Sequence, residues 1–227
     1  MQKAAHVCHT KSRAHYTSPR QTVASLIYAM SEQYVELHPV HGLFENHMQG
    51  YRAQFQASQR SIQNRTAALS LYFYRATKQF LASNKQGELF INVELSILLK
   101  QSFIDQLNTL VQQSPALSNR LVLLLSEEDI YPDSGIERSL TLTHKQLAIA
   151  GIQLGLEINN NHRMAFLMDN KQFKIFSPAC ILIHYSDDWM QQQQHINALS
   201  AVIHHCRRNS WPVLADYRRQ HNNRSIS

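Results

Sequence analysis

Apolar positions in this chain switch repeatedly between a helical period and strand-like runs. From Ser61 to Leu81 they follow a helix, with Leu69, Phe73, Ala76 and Phe80 spaced four, three and four apart. The run Glu88 to Val93 then reads as a short strand whose C-terminal lip carries Asn92. Strand interiors rarely hold an amide, so Asn92 needs a partner at that lip, where parallel αβ barrels keep their sites.

The same patterning places the other elements. Thr22 caps a helix with Val23, Leu26, Ile27 and Met30 on one face, and Tyr34 to Val40 and Met48 to Gln56 form two strands joined as a hairpin. A helix runs from Ile97 to Gln112, with Leu99, Phe103, Leu107, Leu110 and Val111 on one face, until Ser114-Pro115 stops it. Arg120 to Leu125 is a continuous apolar run, as expected of a strand buried on both faces. After it come a helix over Ile136 to Ala150, a strand over Ile152 to Ile158, a short helical piece over His162 to Asp169 and a strand over Ala179 to His184. A helix opening at Asp187-Asp188, with Ile196, Leu199, Ile203 and Cys206 on one face, and a strand over Pro212 to Tyr217 complete the series. Strands alternating with helices imply parallel pairing by right-handed crossovers. The predicted class is α/β, an incomplete or modified TIM-like (β/α) barrel.

Composition narrows the setting. The 227 residues are 44% hydrophobic, enough for one large core, and residues 21–217 read as one domain between polar, basic tails at 1–20 and 218–227. The net charge of +6 gathers at the ends: Lys3, Lys11, Arg13 and Arg20 meet no acid, and Arg207, Arg208, Arg218, Arg219 and Arg224 face only Asp216. Basic ends of this kind read as solvated tails, so nucleic acid is not an expected partner. No apolar run reaches membrane-spanning length and no secretory signal opens the chain, which predicts a cytoplasmic protein with no membrane contact. Cys8, Cys180 and Cys206 form no pairing pattern, and His6, Cys8, His9, His15, His204, His205 and Cys206 lack finger spacing. No metal or cofactor is expected.

The strand ends, taken in order, resemble those of the EAL-domain family, barrel phosphodiesterases that linearise cyclic diguanylate with divalent metals. The resemblance spans about Gln33 to Arg218: His38-Pro39 is similar to the family's first turn, Gly50-Tyr51-Arg52-Ala53-Gln54 to the Glu-Ala-Leu segment, and Phe90-Ile91-Asn92-Val93 to the Val-Asn-Leu-Ser strand. Arg120 to Glu127, Gly151 to Asn160 and Val213 to Tyr217 resemble the later strands, and the family's final strand is missing. The resemblance therefore implies an EAL-type barrel with an antiparallel first strand, lacking its last strand and leaving an apolar edge for a partner or a second copy to cover.

Matched residue by residue, the family's chemistry is largely replaced. The signature metal-ligand glutamate falls on Arg52, the ligand asparagine on Asn92, and the next ligand glutamate on Leu124. The paired aspartates fall on Glu157 and Ile158, the catalytic lysine on Ile183, and the late glutamate on Asp216. Gln54, Phe55 and Gln56 stand where active relatives carry the Leu-Leu-Arg that contacts the ligand. The resemblance thus implies a degenerate, enzymatically inactive bacterial relative with no catalytic residue, in which cyclic diguanylate binding is not expected. Small stand-alone relatives of this kind act by protein contact, one of them on the flagellar master transcription activator. That analogy implies a regulatory protein partner, such as an activator of flagellar or virulence genes. The alternative is a cyclic diguanylate receptor that binds without cutting. Tyr72, Tyr74 and Trp189 are the candidate interface anchors.

Overall fold

The structure is a computed structural model that describes residues 35–44, 47–55, 65–130, 136–158, 177–185 and 193–217. The predicted tails, the helix at Thr22, the helical piece over His162 to Asp169, and Trp189 lie outside the described residues.

Strand β1 (Val35–Gly42) pairs antiparallel with β2 (Met48–Phe55), from Val35 opposite Phe55 to His41 opposite Met48, with a bulge between Val40 and His41. Helix α1 (Arg65–Ala82) leads to β3 (Glu88–Asn92), then to a single helical turn, α2 (Leu95–Leu98), and to α3 (Gln101–Gln113). Strand β4 (Leu121–Ser126), α4 (Ile136–Ile149), β5 (Ile152–Ile158), β6 (Ile181–Tyr185), α5 (Gln193–Arg208) and β7 (Val213–Tyr217) follow. Strands β2 to β7 are parallel to one another in sequence order, and β1 returns antiparallel to β7 to close the barrel.

Closure corrects one expectation. The missing last strand leaves no open edge among the described strands, because β1 pairs on both sides: His41 meets Ala215 and Gly42 meets Leu214, and the Leu43 amide donates to the Val213 carbonyl at 2.9 Å. An unpaired edge would expose a row of backbone donors and acceptors, and this contact pairs the end of β1 with the start of β7.

The helix predicted as continuous over Ile97 to Gln112 breaks at Leu99 and Lys100. Lys100 is extended (φ −82°, ψ 123°), so α2 and α3 bury separate apolar sets, Leu95, Ile97 and Leu98 in one and Phe103, Ile104, Leu107 and Val111 in the other. No helix among the described residues is long and apolar enough to cross a membrane.

Strand side chains alternate between two cores. Leu89, Ile91, Leu121, Leu123, Leu125, Leu154, Leu156, Ile158, Ile181 and Ile183 point outward against Phe73, Phe80, Phe103, Leu107 and other helix residues. Val40, Phe90, Val122, Leu124, Cys180, Leu182 and Leu214 fill the barrel interior. Cys180 and Cys206 are free and buried, and burial pushes both thiols up, Cys206 to about 12. Continuous apolar runs such as Leu121 to Leu125 follow from this geometry, since both faces are dry.

Gly50 sets how closely β2 approaches β3. A Cβ there would stand 2.1 Å from the Glu88 carbonyl oxygen, a backbone atom that cannot swing aside. Gly50→Ala should therefore lower stability by about 3 kcal/mol, at the upper end of overpacking costs; a urea midpoint equal to that of the parent chain would contradict this close approach.

Candidate functional site

Two residues beyond the inner cluster on β3, β6 and β7, the interior changes from apolar to polar or charged. Asn92 follows Phe90, His184 follows Leu182 and Asp216 follows Leu214, each pointing inward by the two-residue period. Glu157 on β5 and Arg52 on β2 enter the same layer, at the C-terminal ends of the parallel strands. Arg52, Glu157, His184 and Asp216 are all buried, with Arg52 only 5% exposed.

The Arg52 guanidinium is the hub. Its Nη1 donates to Asp216 Oδ2 at 2.7 Å, its Nη2 to Asn92 Oδ1 at 2.9 Å, and its Nε to the same oxygen at 3.1 Å. Nη2 also donates to Glu157 Oε1, and the Asn92 amide donates to Glu157 Oε2. His184 bridges the two acids: its Nε2 meets Glu157 Oε1, and its Nδ1 lies 3.3 Å from Asp216 Oδ2. All three nitrogens of the guanidinium are thus engaged, the planar fork for which arginine differs from lysine. Burial raises the Asp216 carboxyl, but hydrogen bonds from His184 and Arg52 and the charge of Arg52 outweigh it and hold the group at about 2. On the outer face of β2, the Tyr72 hydroxyl donates to the Ala53 carbonyl at 2.8 Å, tying β2 to α1.

The structure brings together Arg52, Asn92, Glu157 and Asp216 from strands as far apart as Arg52 and Asp216 in sequence. The other matched positions lie elsewhere. Leu124 belongs to the inner apolar cluster, while Ile158 and Ile183 face the helices. His184, one residue after Ile183, is the member of the site that sequence reasoning passed over. A shift of one residue exchanges the two faces of a strand, and counting inward positions from Cys180 through Leu182 reaches His184. Tyr72 is buried at 7% exposed, a correction to its role as a surface anchor; Tyr74 is 51% exposed. Tyr74 borders a groove of about 370 Å³ between α1 and α3, with Phe73, Phe103, Leu107 and Leu110.

The residues present do not fit the pair of divalent ions that the EAL resemblance implies. Such ions need several oxygen ligands each. Here the oxygens of Asn92, Glu157 and Asp216 turn onto a fixed cation whose charge would repel an ion. Among the described residues, no group of three or more His, Cys, Asp or Glu side chains is arranged to hold a metal.

Two outcomes follow from this geometry. Arg52→Met leaves two buried carboxylates without their cation and should cost about 3–5 kcal/mol in chemical denaturation. Asp216 sits below its ordinary 3.8 in the folded chain, so its contribution is complete above about pH 4 and fades as pH falls toward about 2. Stability measured from pH 5 to pH 2 should fall more steeply in the parent chain than in Asp216→Asn, and equal slopes would contradict the assignment.

No family model and no curated protein matches the chain by sequence. Solved structures match it by fold. Vibrio cholerae LapD, an S helix-GGDEF-EAL chain bound to cyclic diguanylate, superposes with a TM-score of 0.64 at 11% identity, covering 89% of this chain and 52% of that one. Bacillus subtilis YkuI, with an EAL domain in complex with cyclic diguanylate and calcium, gives 0.61 at 13% identity, covering 84% and 50%. The present chain therefore spans about half the length of these two. The Pseudomonas aeruginosa FimX EAL domain bound to cyclic diguanylate gives 0.61 at 15% identity, covering 85% and 83%. These structures correct the expectation against cyclic diguanylate binding, because barrels of this fold carry that ligand bound. Closed in sequence order, with its first strand antiparallel and its polar layer at the parallel strand ends, the chain has the fold of an EAL domain.

Proposed function

We propose that this chain is a non-hydrolysing EAL-like regulatory domain that binds cyclic diguanylate at the C-terminal face of its barrel and acts through that occupancy. The observation that carries the reading is the buried Arg52 guanidinium, held by Asn92, Glu157 and Asp216 where the resemblance would put a metal. Hydrolysis of a phosphodiester by this kind of site needs a cation that lowers the pKa of an attacking water. A guanidinium fully engaged with side chains offers no open position to a water and cannot supply that step. What supports the ligand is the set of structures of the same fold solved with cyclic diguanylate, including the FimX EAL domain.

A second reading, regulation by contact with a protein such as a transcription regulator, is favoured by one feature. The groove beside Tyr74 joins an exposed aromatic to apolar floor residues Phe73, Phe103 and Leu107. Anchors of that type carry much of the energy of protein interfaces.

Calorimetric titration with cyclic diguanylate in magnesium, with chromatography of the same mixture for the linear product, tests the proposal. Heat without product is the expected result. Product would overturn the non-hydrolysing reading, and absence of heat would overturn the ligand and leave protein contact. Arg52→Glu alone should also yield no linear product, because Leu124 supplies no oxygen ligand and His184, not a lysine, enters the layer from β6; turnover in that variant would show that one restored glutamate beside Asn92, Glu157 and Asp216 suffices.

A further inference from the structure

The charged layer has the form of a binding site whose occupant is part of the chain. Asn92, Glu157, His184 and Asp216 come from four strands and surround one planar cation. Two edges of that plane meet acceptors of different kinds: Nε and Nη2 share the Asn92 amide oxygen, Nη2 adds Glu157, and Nη1 takes Asp216. Below them the layer of Phe90, Leu182 and Leu214 is fully apolar and packed, so solvent does not take over the pairing from underneath. The side chains of Arg52, Glu157 and Asp216 are 6%, 4% and 6% exposed. Carboxylates this dry need a partner cation.

We infer that the cavity bounded by Asn92, Glu157, His184 and Asp216 is a binding site for a guanidinium-type cation, which the protein fills with its own Arg52. The role of Arg52 is then a positioning one, since it holds the strand ends of β3, β5, β6 and β7 by charge as well as by shape. The planar fork explains the choice of cation: its donors lie in one plane and reach all three oxygen-bearing neighbours at once, which a lysine ammonium or a spherical ion does not. This inference concerns how the site is held together and does not depend on which ligand the face takes.

Truncation followed by complementation tests it. Arg52→Ala removes the atoms of ethylguanidinium, so that cation is the probe, and uncharged ethylurea has the same shape. In the full chain carrying Arg52→Ala, ethylguanidinium should bind with a Kd of about 1 mM and raise the melting temperature. At ten times that concentration the rise should be about 3–6 °C. Ethylurea should give no such rise, and ethylguanidinium should lose its effect in Arg52→Ala/Glu157→Gln/Asp216→Asn. An equal response to ethylurea, or an unchanged response in the triple variant, would overturn the inference.

A second comparison holds if Arg52→Ala does not fold. Arg52→Met with Glu157→Gln and Asp216→Asn carries no uncompensated acid, and it should melt above Arg52→Met alone. A triple variant that melts at or below the single one would show that the cation is not what the cavity requires. The calorimetric titration with cyclic diguanylate reads a different site event, so either result can fail without the other.

Discussion

Two carboxylates buried at the end of a β-barrel require a positive partner, and in this chain that partner is a side chain. Desolvating Glu157 and Asp216 without compensation is unfavourable by several kcal/mol per ion, and Coulomb attraction offsets it only with good geometry and further hydrogen bonds. Arg52 provides both, and the Asn92 amide and the His184 ring complete the pairing. The layer couples β2, β3, β5, β6 and β7, so the charge balance of one cluster and the register of most of the barrel depend on each other.

That dependence also separates fold from chemistry. The barrel that places inward residues at the parallel strand ends is shared with EAL domains solved with cyclic diguanylate. What a site does there is set by the few side chains that reach the rim. An arginine at the middle of the layer engages the oxygens that a divalent ion would need, while leaving the frame intact. The outer core of aliphatic strand residues and helix aromatics supports the same strands from their other face.

Much of the fold was legible in the chain. The strand Ile152–Ile158 is bounded in the structure as the pattern has it, because β-branched and leucine-rich runs between turn residues fit few other conformations. Asn92 stood out as an amide in an otherwise apolar strand, and its partners are the ones a lip position demands. The break at Lys100 was not legible, since Leu99, Phe103 and Leu107 keep helical spacing across it; only packing in two directions divides α2 from α3. Ile183 and His184 show the same limit at one-residue scale. Both fit a strand, and which one faces the site depends on a register set by neighbours, with Ile158 paired to Ile183 and His184 to Asp216.

The amino-acid sequence by itself determined the alternation of strands and helices, the hairpin at the start, and the presence of an arginine, an asparagine and acids at strand ends, because period and local propensity act within a few residues. Only the tertiary structure decided that β1 closes the barrel against β7, that His184 rather than Ile183 enters the site, and that Arg52 is the shared partner of Asn92, Glu157 and Asp216. The contacts of Arg52 join residues 40 to 164 positions apart, from Arg52 and Asn92 to Arg52 and Asp216, and electrostatic pairing at that separation exists only once the strands have been brought side by side.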